Sequence, residues 1–291
     1  MKTQALKSLS IFMTLISFSS LLHAATQDNQ ISWAGCGITK KAFMQELALA
    51  FTAKTGVAVS LQGGGATKGI RDTINNKIDI GGTCRMTLPS VEQTELHATL
   101  HPVAWDALAI IVNKKNPISN LSMAQVKDIY TGKITNWKTL NGRDAPIHLY
   151  TRRGKISGVG YAIRQYIFKD SSMIFKSHHV VKSSGPLEKA CEKDINAMGI
   201  TGISSARKRN VKIVKFNGMK PSYSNLKAGK YFLYRPLYLV TSPAPSKLAK
   251  DFISYASSSE GRRIIRDNGT VPYLDAPRLL TKMLVYGFGV K

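Results

Sequence analysis

The stretch Leu61-Gln62-Gly63-Gly64-Gly65-Ala66-Thr67-Lys68-Gly69-Ile70 decides how this chain is read. It follows a strand-like run over residues 57–61 and precedes a helix-like run over 69–76. Glycines let the backbone approach a ligand closely and adopt positive φ. A helix start offers unpaired N–H groups and a partial positive charge. A glycine-rich turn that feeds a helix is therefore a natural anion site, and equally a tight strand-to-helix turn with no ligand.

The same arrangement recurs twice. Trp33-Ala34-Gly35-Cys36-Gly37-Ile38-Thr39 follows Ile31 and opens a long helical pattern. Tyr150-Thr151-Arg152-Arg153-Gly154-Lys155-Ile156-Ser157-Gly158-Val159-Gly160 follows the apolar run 146–149 and opens another helix. Strand–glycine–helix turns that also carry Thr, Arg and Ser can converge on one small anion. Around them the chain alternates: strand 31–34, a helix from 39 or 40 to 54, strand 57–61, helix 69–76, strand 78–82 and a short helix 89–96. This βαβαβ order implies parallel strands with ligand sites at their C-terminal ends. Two long apolar runs, 101–113 and 232–240, are the length of strands that leave one domain and enter another. Helices are expected over 122–130, 157–168, 186–194, 246–257 and 259–268, and a strand over 211–216.

Residues 1–24 read as an export signal. Lys2 and Lys7 precede the apolar, serine-containing run 9–22, and Leu22-His23-Ala24 stands before Ala25 as a cleavage site. No later segment is long and apolar enough to span a membrane, so the mature chain is expected to be soluble and exported to the periplasm. The formal charge of +24 favours acidic partners. Basic residues are scattered, however, and no recognition helix or basic–aromatic motif accompanies them, so specific nucleic-acid binding is not expected. The cysteines are Cys36, Cys84 and Cys191; an odd count leaves at least one thiol unpaired within the chain. No spacing suits a metal, and no cofactor motif is present. Ser157-Gly158-Val159-Gly160 lacks the Gly-x-Ser-x-Gly order of a nucleophile elbow, and no other catalytic constellation is visible, so the chain does not read as an enzyme. His97, His101, His148, His178 and His179 show no partner in sequence and read as surface residues.

Several ordered stretches resemble the PstS-like phosphate-binding proteins of ABC transporters, a family of type II periplasmic solute-binding proteins. They are Val59-Ser60-Leu61-Gln62-Gly63-Gly64-Gly65, Lys77-Ile78-Asp79-Ile80-Gly81-Gly82-Thr83-Cys84-Arg85 and Trp105-Asp106-Ala107-Leu108-Ala109-Ile110-Ile111-Val112-Asn113. Ile129-Tyr130-Thr131-Gly132-Lys133-Ile134-Thr135-Asn136-Trp137 is the most specific, and Tyr231-Phe232-Leu233-Tyr234-Arg235-Pro236-Leu237-Tyr238-Leu239 with Ser259-Glu260-Gly261-Arg262 and Gly269-Thr270-Val271-Pro272 complete the set. The resemblance implies an α/β, two-lobe type II periplasmic-binding-protein fold with two crossing hinge strands and a ligand cleft between the lobes. It places lobe one at 26–108 and 234–291 and lobe two at 109–233. It implies a monomer that captures inorganic phosphate or a related oxyanion and docks on an ABC permease in the inner membrane. A non-transport interaction or sensory protein on the same scaffold is the alternative.

Carried over residue by residue, the resemblance implies ligand contacts at Ile38 and Thr39 in the first loop and at Ala66, on the usual serine position, with Thr67 beside it. It implies Thr83 and Cys84 after the Asp79-Ile80-Gly81 strand. In the third loop it implies Arg153, with Arg152 as rival, then Ser157, Gly158 and Val159, where one hydroxyl of the family's Ser-Gly-Thr is lost. No carboxylate stands near Thr83-Cys84-Arg85, and Lys155 replaces the acidic partner that often follows the site arginine. Such a site disfavours a fully ionised anion such as sulfate less than a typical member does. Asp106, on the first crossing strand, reads as a structural acceptor. The resemblance turns Cys36 and Cys84 toward the same anion, where they either form a disulfide or fill space as free thiols.

Overall fold

The computed structural model describes residues 29–286; the export signal expected over 1–24 lies outside them. Strand β1 (Gln30–Gly35) pairs in parallel with β2 (Ala58–Gly63) on one side and β3 (Ile80–Thr83) on the other. Between them run α1 (37–55), whose Lys40–Met44 stretch is a π-helical widening, and α2 (Ala66–Ile74). Gly56 ends α1 in the left-handed region at φ 74°, where a side chain would be strained. All three strands point their C-terminal ends at one edge, which delivers the glycine turns there.

The expected first crossing strand is β4 (Thr99–Asn113), which is buried without interruption from Val103 to Asn113. A strand covered on both faces carries a near-continuous apolar run, here interrupted by the buried Asp106. Its partners change along its length. Residues 99–107 pair antiparallel with β10 (Tyr234–Thr241), and Trp105 and Ala104 also pair with β11 (Val271–Pro272). From Leu108 onward it pairs with β8 (Ala197–Gly202) and β9 (Val211–Phe216). Strand β8 pairs in parallel with β6 (His148–Arg152), which pairs with β7 (His179–Val181); β5 (Asn120–Leu121) flanks β9. The strand path therefore runs β2-β1-β3-β10-β4-β8-β6-β7. Trp105 anchors the crossing. Its ring stacks on Tyr273 at 4.7 Å, and its indole N–H donates to the Tyr273 carbonyl at 2.9 Å.

The helices follow their caps. Ser122 closes a capping box with Gln125 at the head of α3 (Met123–Thr131). Helix α4 (158–168) starts at Gly158 behind Ser157. Next come α5 (Ser184–Lys193), α6 (Ile203–Ala206) and α7 (Tyr223–Lys227). Ser246 and Ser258 cap α8 (Lys247–Ser257) and α9 (Ser259–Asp267), and α10 (Pro277–Tyr286) closes the described chain.

Two sequence expectations differ from the structure here. The helix expected over 89–96 is only a 3-10 turn, Gln93–His97. Glu95 faces inward and accepts from the Leu88 N–H at 2.9 Å and from Arg85, which ties the segment down before a helix can propagate. His148 and His101 are not bare surface residues. His148 Nδ1 lies 2.8 Å from Asp194, and His101 Nε2 lies 2.9 Å from the Thr241 hydroxyl.

Candidate functional site

The three glycine turns meet. Gly35 and Gly82 are register partners across β1 and β3, and a Cβ on Gly35 would collide with the Gly82 backbone. That close approach lets the Cys36 N–H donate to the Gly82 carbonyl at 2.8 Å. It also places Cys36 Sγ 2.8 Å from Cys84 Sγ, both buried and both free thiols. From the other side comes the head of α4. A Cβ on Gly158 would collide with Cys84 Sγ and stand 3.2 Å from the Ala66 methyl, so only glycine lets the third turn close on the other two.

Two arginines reach this junction. Arg235, on β10, is buried; its Nη1 donates to the Cys84 carbonyl at 3.2 Å and the Gly158 carbonyl at 3.0 Å, joining two of the turns. Its Nη2 lies 3.5 Å from Asp106 Oδ2. Arg152, at the end of β6, is held by Nη1 on the Ser184 hydroxyl at 2.7 Å and Nη2 on the Lys182 carbonyl at 3.3 Å. Its charge acts on both thiols and on Arg235. Four residues in this cluster bury polar atoms without a hydrogen-bond partner: Arg152 (Nε), Arg235 (Nε and Nη2), Ser157 (Oγ) and Asp106 (Oδ2). The first three are donor groups and the last is an acceptor. Buried donors left unsatisfied are costly, and convergent ones are suited to an anion.

Charge is arranged to match. The Cys84 thiol, donating to Cys36, is the largest influence holding Cys36 down at about 6; Arg235 and Arg152 add to it, against burial. The same contact and burial push Cys84 well above the ordinary thiol value. Burial raises the Asp106 carboxyl, although Arg235 and the Ser204 hydroxyl and N–H pull it the other way. Asp106 Oδ1 is occupied by Ser204, at 2.7 Å from the hydroxyl and 3.1 Å from the N–H, so Oδ2 is the oxygen that faces Arg235.

The structure brings together Ile38, Ala66, Cys84, Ser157, Gly158 and Val159 from the set named in the sequence. Ile38 is buried against the Gly202 backbone beside Asp106, and Val159 is buried behind Gly158. The threonine hydroxyls are engaged within the protein. Thr39 Oγ1 donates to the Thr83 carbonyl at 3.4 Å, Thr83 Oγ1 donates to the Arg85 carbonyl at 3.0 Å, and Thr67 Oγ1 accepts from Arg85 Nη2 at 3.3 Å. Arg153 is exposed, and its backbone N–H donates to the Val181 carbonyl; the neighbouring Arg152 is the one at the cluster. Strand β6 ends at Arg152, and Arg153 lies just past its end, exposed.

Sequence reasoning did not single out Arg235 for the site. The signal was present: one charged residue inside an apolar strand run, Tyr231 to Leu239, must be buried with a purpose. It also passed over the Arg85–Glu95 pair. Arg85 Nη1 and Nη2 contact Glu95 at 2.8 and 2.9 Å, and Arg85 Nε donates to the Ile156 carbonyl at 3.1 Å. That pair holds the Cys84 turn against the loop before α4. Asp106 supplies at the cluster a carboxylate that the sequence placed only in the strand framework.

Residues 23–260 match the family described as PBP superfamily domain. The phosphate-binding protein PstS of Borreliella burgdorferi is 26% identical over 280 residues, spanning 91% of this chain and 98% of that protein. The phosphate-binding protein PstS of Bacillus subtilis is 26% identical over 220 residues, spanning 75% of this chain and 72% of that protein. Among solved structures, a putative phosphate ABC transporter substrate-binding protein with bound phosphate from Clostridium perfringens superposes with a TM-score of 0.77 at 28% identity. The match covers 84% of this chain and 99% of that one. An ABC-type phosphate transport receptor from Vibrio cholerae gives a TM-score of 0.64 at 28% identity, with the same coverage. The fold is the two-lobe type II periplasmic-binding-protein fold.

Proposed function

This chain belongs to the PBP superfamily domain family, and from that premise we propose that it captures inorganic phosphate for an ABC importer. The observation that carries the reading is the buried cluster of donors without a hydrogen-bond partner, Arg152 Nε, Arg235 Nε and Ser157 Oγ, beside the Arg235 Nη2–Asp106 Oδ2 ion pair at 3.5 Å. A tetrahedral oxyanion accepts from the guanidinium edges and the hydroxyl through charge-assisted bonds. The single acceptor suits an anion that still carries a proton, as phosphate does near neutral pH. Sulfate, with no proton to offer, leaves Asp106 facing bare negative charge. With Asp106 counted, sulfate is disfavoured more strongly than the loops alone imply.

The lobes of the proposal are 26–108 with 234–291, and 109–233. The anion bridges them, through Arg235 and the first two turns on one side and Arg152, Ser157 and the head of α4 on the other. Closure then presents a surface to the permease. The reading includes a monomeric, exported protein and no catalytic step. Among the described residues no helix is long and apolar enough to cross a membrane.

Calorimetry with phosphate, arsenate and sulfate tests the reading. Phosphate and arsenate are expected to bind and sulfate to bind at least about tenfold more weakly. Absence of phosphate binding at millimolar concentration overturns it. It would favour the second reading, a sensory or interaction protein with a degenerate site, for which the internally engaged hydroxyls of Thr39 and Thr83 speak.

A further inference from the structure

We infer that Cys36 and Cys84 form a reversible dithiol–disulfide couple inside the cleft, and that oxidising the pair strengthens oxyanion binding. This rests on the phosphate reading of the same site. The two sulfurs stand 2.8 Å apart on turns whose backbones are themselves bonded, Cys36 N–H to Gly82 carbonyl at 2.8 Å, so a covalent link demands little movement of the chain. Cys191 is buried elsewhere, under β4, with its thiol facing the Ile111 carbonyl at 3.9 Å, and cannot compete for either partner.

The couple faces the ligand groups directly. Arg235 holds the Cys84 carbonyl, and Arg235 and Arg152 both act on the two sulfurs. Asp106 faces Arg235 from β4. In the reduced protein the contact with Cys84 and the charges of Arg235 and Arg152 favour negative charge on the Cys36 sulfur, which then serves as an internal counter-ion to the two arginines. An arriving oxyanion meets that charge and binds only by driving a proton onto the sulfur. Because the thiol is held below its ordinary value, adding that proton near neutral pH lowers the affinity. A disulfide carries no charge, and it removes the penalty.

The oxidant is a disulfide, either a small molecule such as glutathione disulfide or an exposed protein disulfide. The Cys36 thiolate attacks one of its sulfurs, forming a mixed disulfide and expelling one thiolate. Cys84, no longer facing a negative neighbour, loses its proton and attacks Cys36 Sγ, expelling the second thiolate. Starting from the Cys36 thiolate and the Cys84 thiol, the pair gives up two electrons and one proton, and the oxidant leaves as one thiol and one thiolate. Both cysteines are buried against the head of α4, so the exchange takes place while the lobes are apart.

The test treats purified protein with glutathione disulfide or with dithiothreitol, alkylates one portion in denaturant without further reduction and maps its peptides by mass, and titrates the native remainder of each form with phosphate at pH 7.5. The expected result is a Cys36–Cys84 linked peptide in the oxidised form only, Cys191 alkylated in both forms, and phosphate binding at least about threefold tighter after oxidation. Cys84→Ser is expected to abolish the redox response. Free alkylation of both Cys36 and Cys84 after oxidation overturns the inference, as does equal affinity in the two forms. Phosphate binding in neither form, with the linked peptide present, overturns the phosphate reading and the affinity switch together.

Discussion

Arg152 and Arg153 are neighbours of identical chemistry, and the end of strand β6, which falls between them, separates their roles. Arg152 is held at the cluster by Ser184 and the Lys182 carbonyl, while Arg153 is exposed. A charge-assisted bond contributes about 1.5–3 kcal/mol. Arg152→Ala is therefore expected to weaken phosphate binding by roughly ten- to a hundredfold. Arg153→Ala is expected to stay within about twofold, since an exposed charge contributes little. Calorimetry on the two variants side by side decides it, and equal losses would put the arginine assignment wrong. Asp106→Asn carries a second expectation. It replaces the carboxylate acceptor with an amide whose nitrogen can donate, so phosphate weakens, sulfate strengthens, and their affinity ratio falls by about tenfold or more. Competition titrations read that ratio directly; an unchanged ratio would leave Asp106 a framework residue. What was legible at this scale follows from locality. The glycine turns, Ser157 and the two rival arginines are sequence neighbours of a helix start. Arg235 and Asp106 come from crossing strands more than a hundred residues apart, where only the fold reveals that they face each other.

The elements hold the turns in place through one buried ion pair. Glu95, in the 3-10 turn, receives Arg85, Arg71 and the Leu88 N–H. Burial pulls its carboxyl upward, but the bonds from Arg85, Leu88 and Arg71 outweigh that and leave it below the ordinary value. A carboxylate lowered in the folded state adds stability that is complete above its unfolded value, about 4.3, and is lost as pH falls through the lower folded value. The melting temperature is thus expected to drop steeply below about pH 4.3. Glu95→Gln, which strands Arg85 without a charged partner, is expected to lower stability at pH 7 by about 3 kcal/mol and to flatten that acid dependence. Chemical denaturation across pH checks both; an unaltered acid slope would remove Glu95 as its source. Most elements were readable from apolar spacing and caps, as the Ser122–Gln125 box shows. Strand β8 was not: Ala-Met-Gly-Ile-Thr-Gly is short, glycine-broken and buried at every position, so it carries neither alternation nor a long apolar run. The 3-10 turn escaped for the opposite reason, since its course is set by a tertiary contact to Arg85 rather than by local propensity.

The whole molecule is organised around strand β4, which changes partners between Ala107 and Leu108 and so ties the two sheets into one chain path. That continuity was foreseeable from the length of one apolar run, because no single small sheet accommodates fifteen residues of strand. What sequence could not supply is how tightly the turns interlock. Gly158 sits under Cys84 with no room for a methyl group, and Arg235 bonds to the carbonyls of both. This describes a closed arrangement whose contacts span the proposed lobes. A compact chain of the described length has a radius of gyration near 18 Å, and separating the lobes raises it. If phosphate binding and closure are coupled, ligand must shift the population toward the compact form by its differential affinity for it. Small-angle scattering is therefore expected to show the radius of gyration falling on phosphate addition to the native protein. Gly158→Ala is expected to remain folded, because the collision arises only when α4 meets the Cys84 turn, yet to stay expanded with phosphate and to bind it more weakly by about tenfold or more. Adding Cys84→Ala to that variant removes the colliding sulfur and should restore compaction in part, a coupling between two positions that neither change alone would show. A Gly158→Ala protein that compacts fully with phosphate would mean the turns meet less closely than the structure places them, and that closure does not depend on this contact.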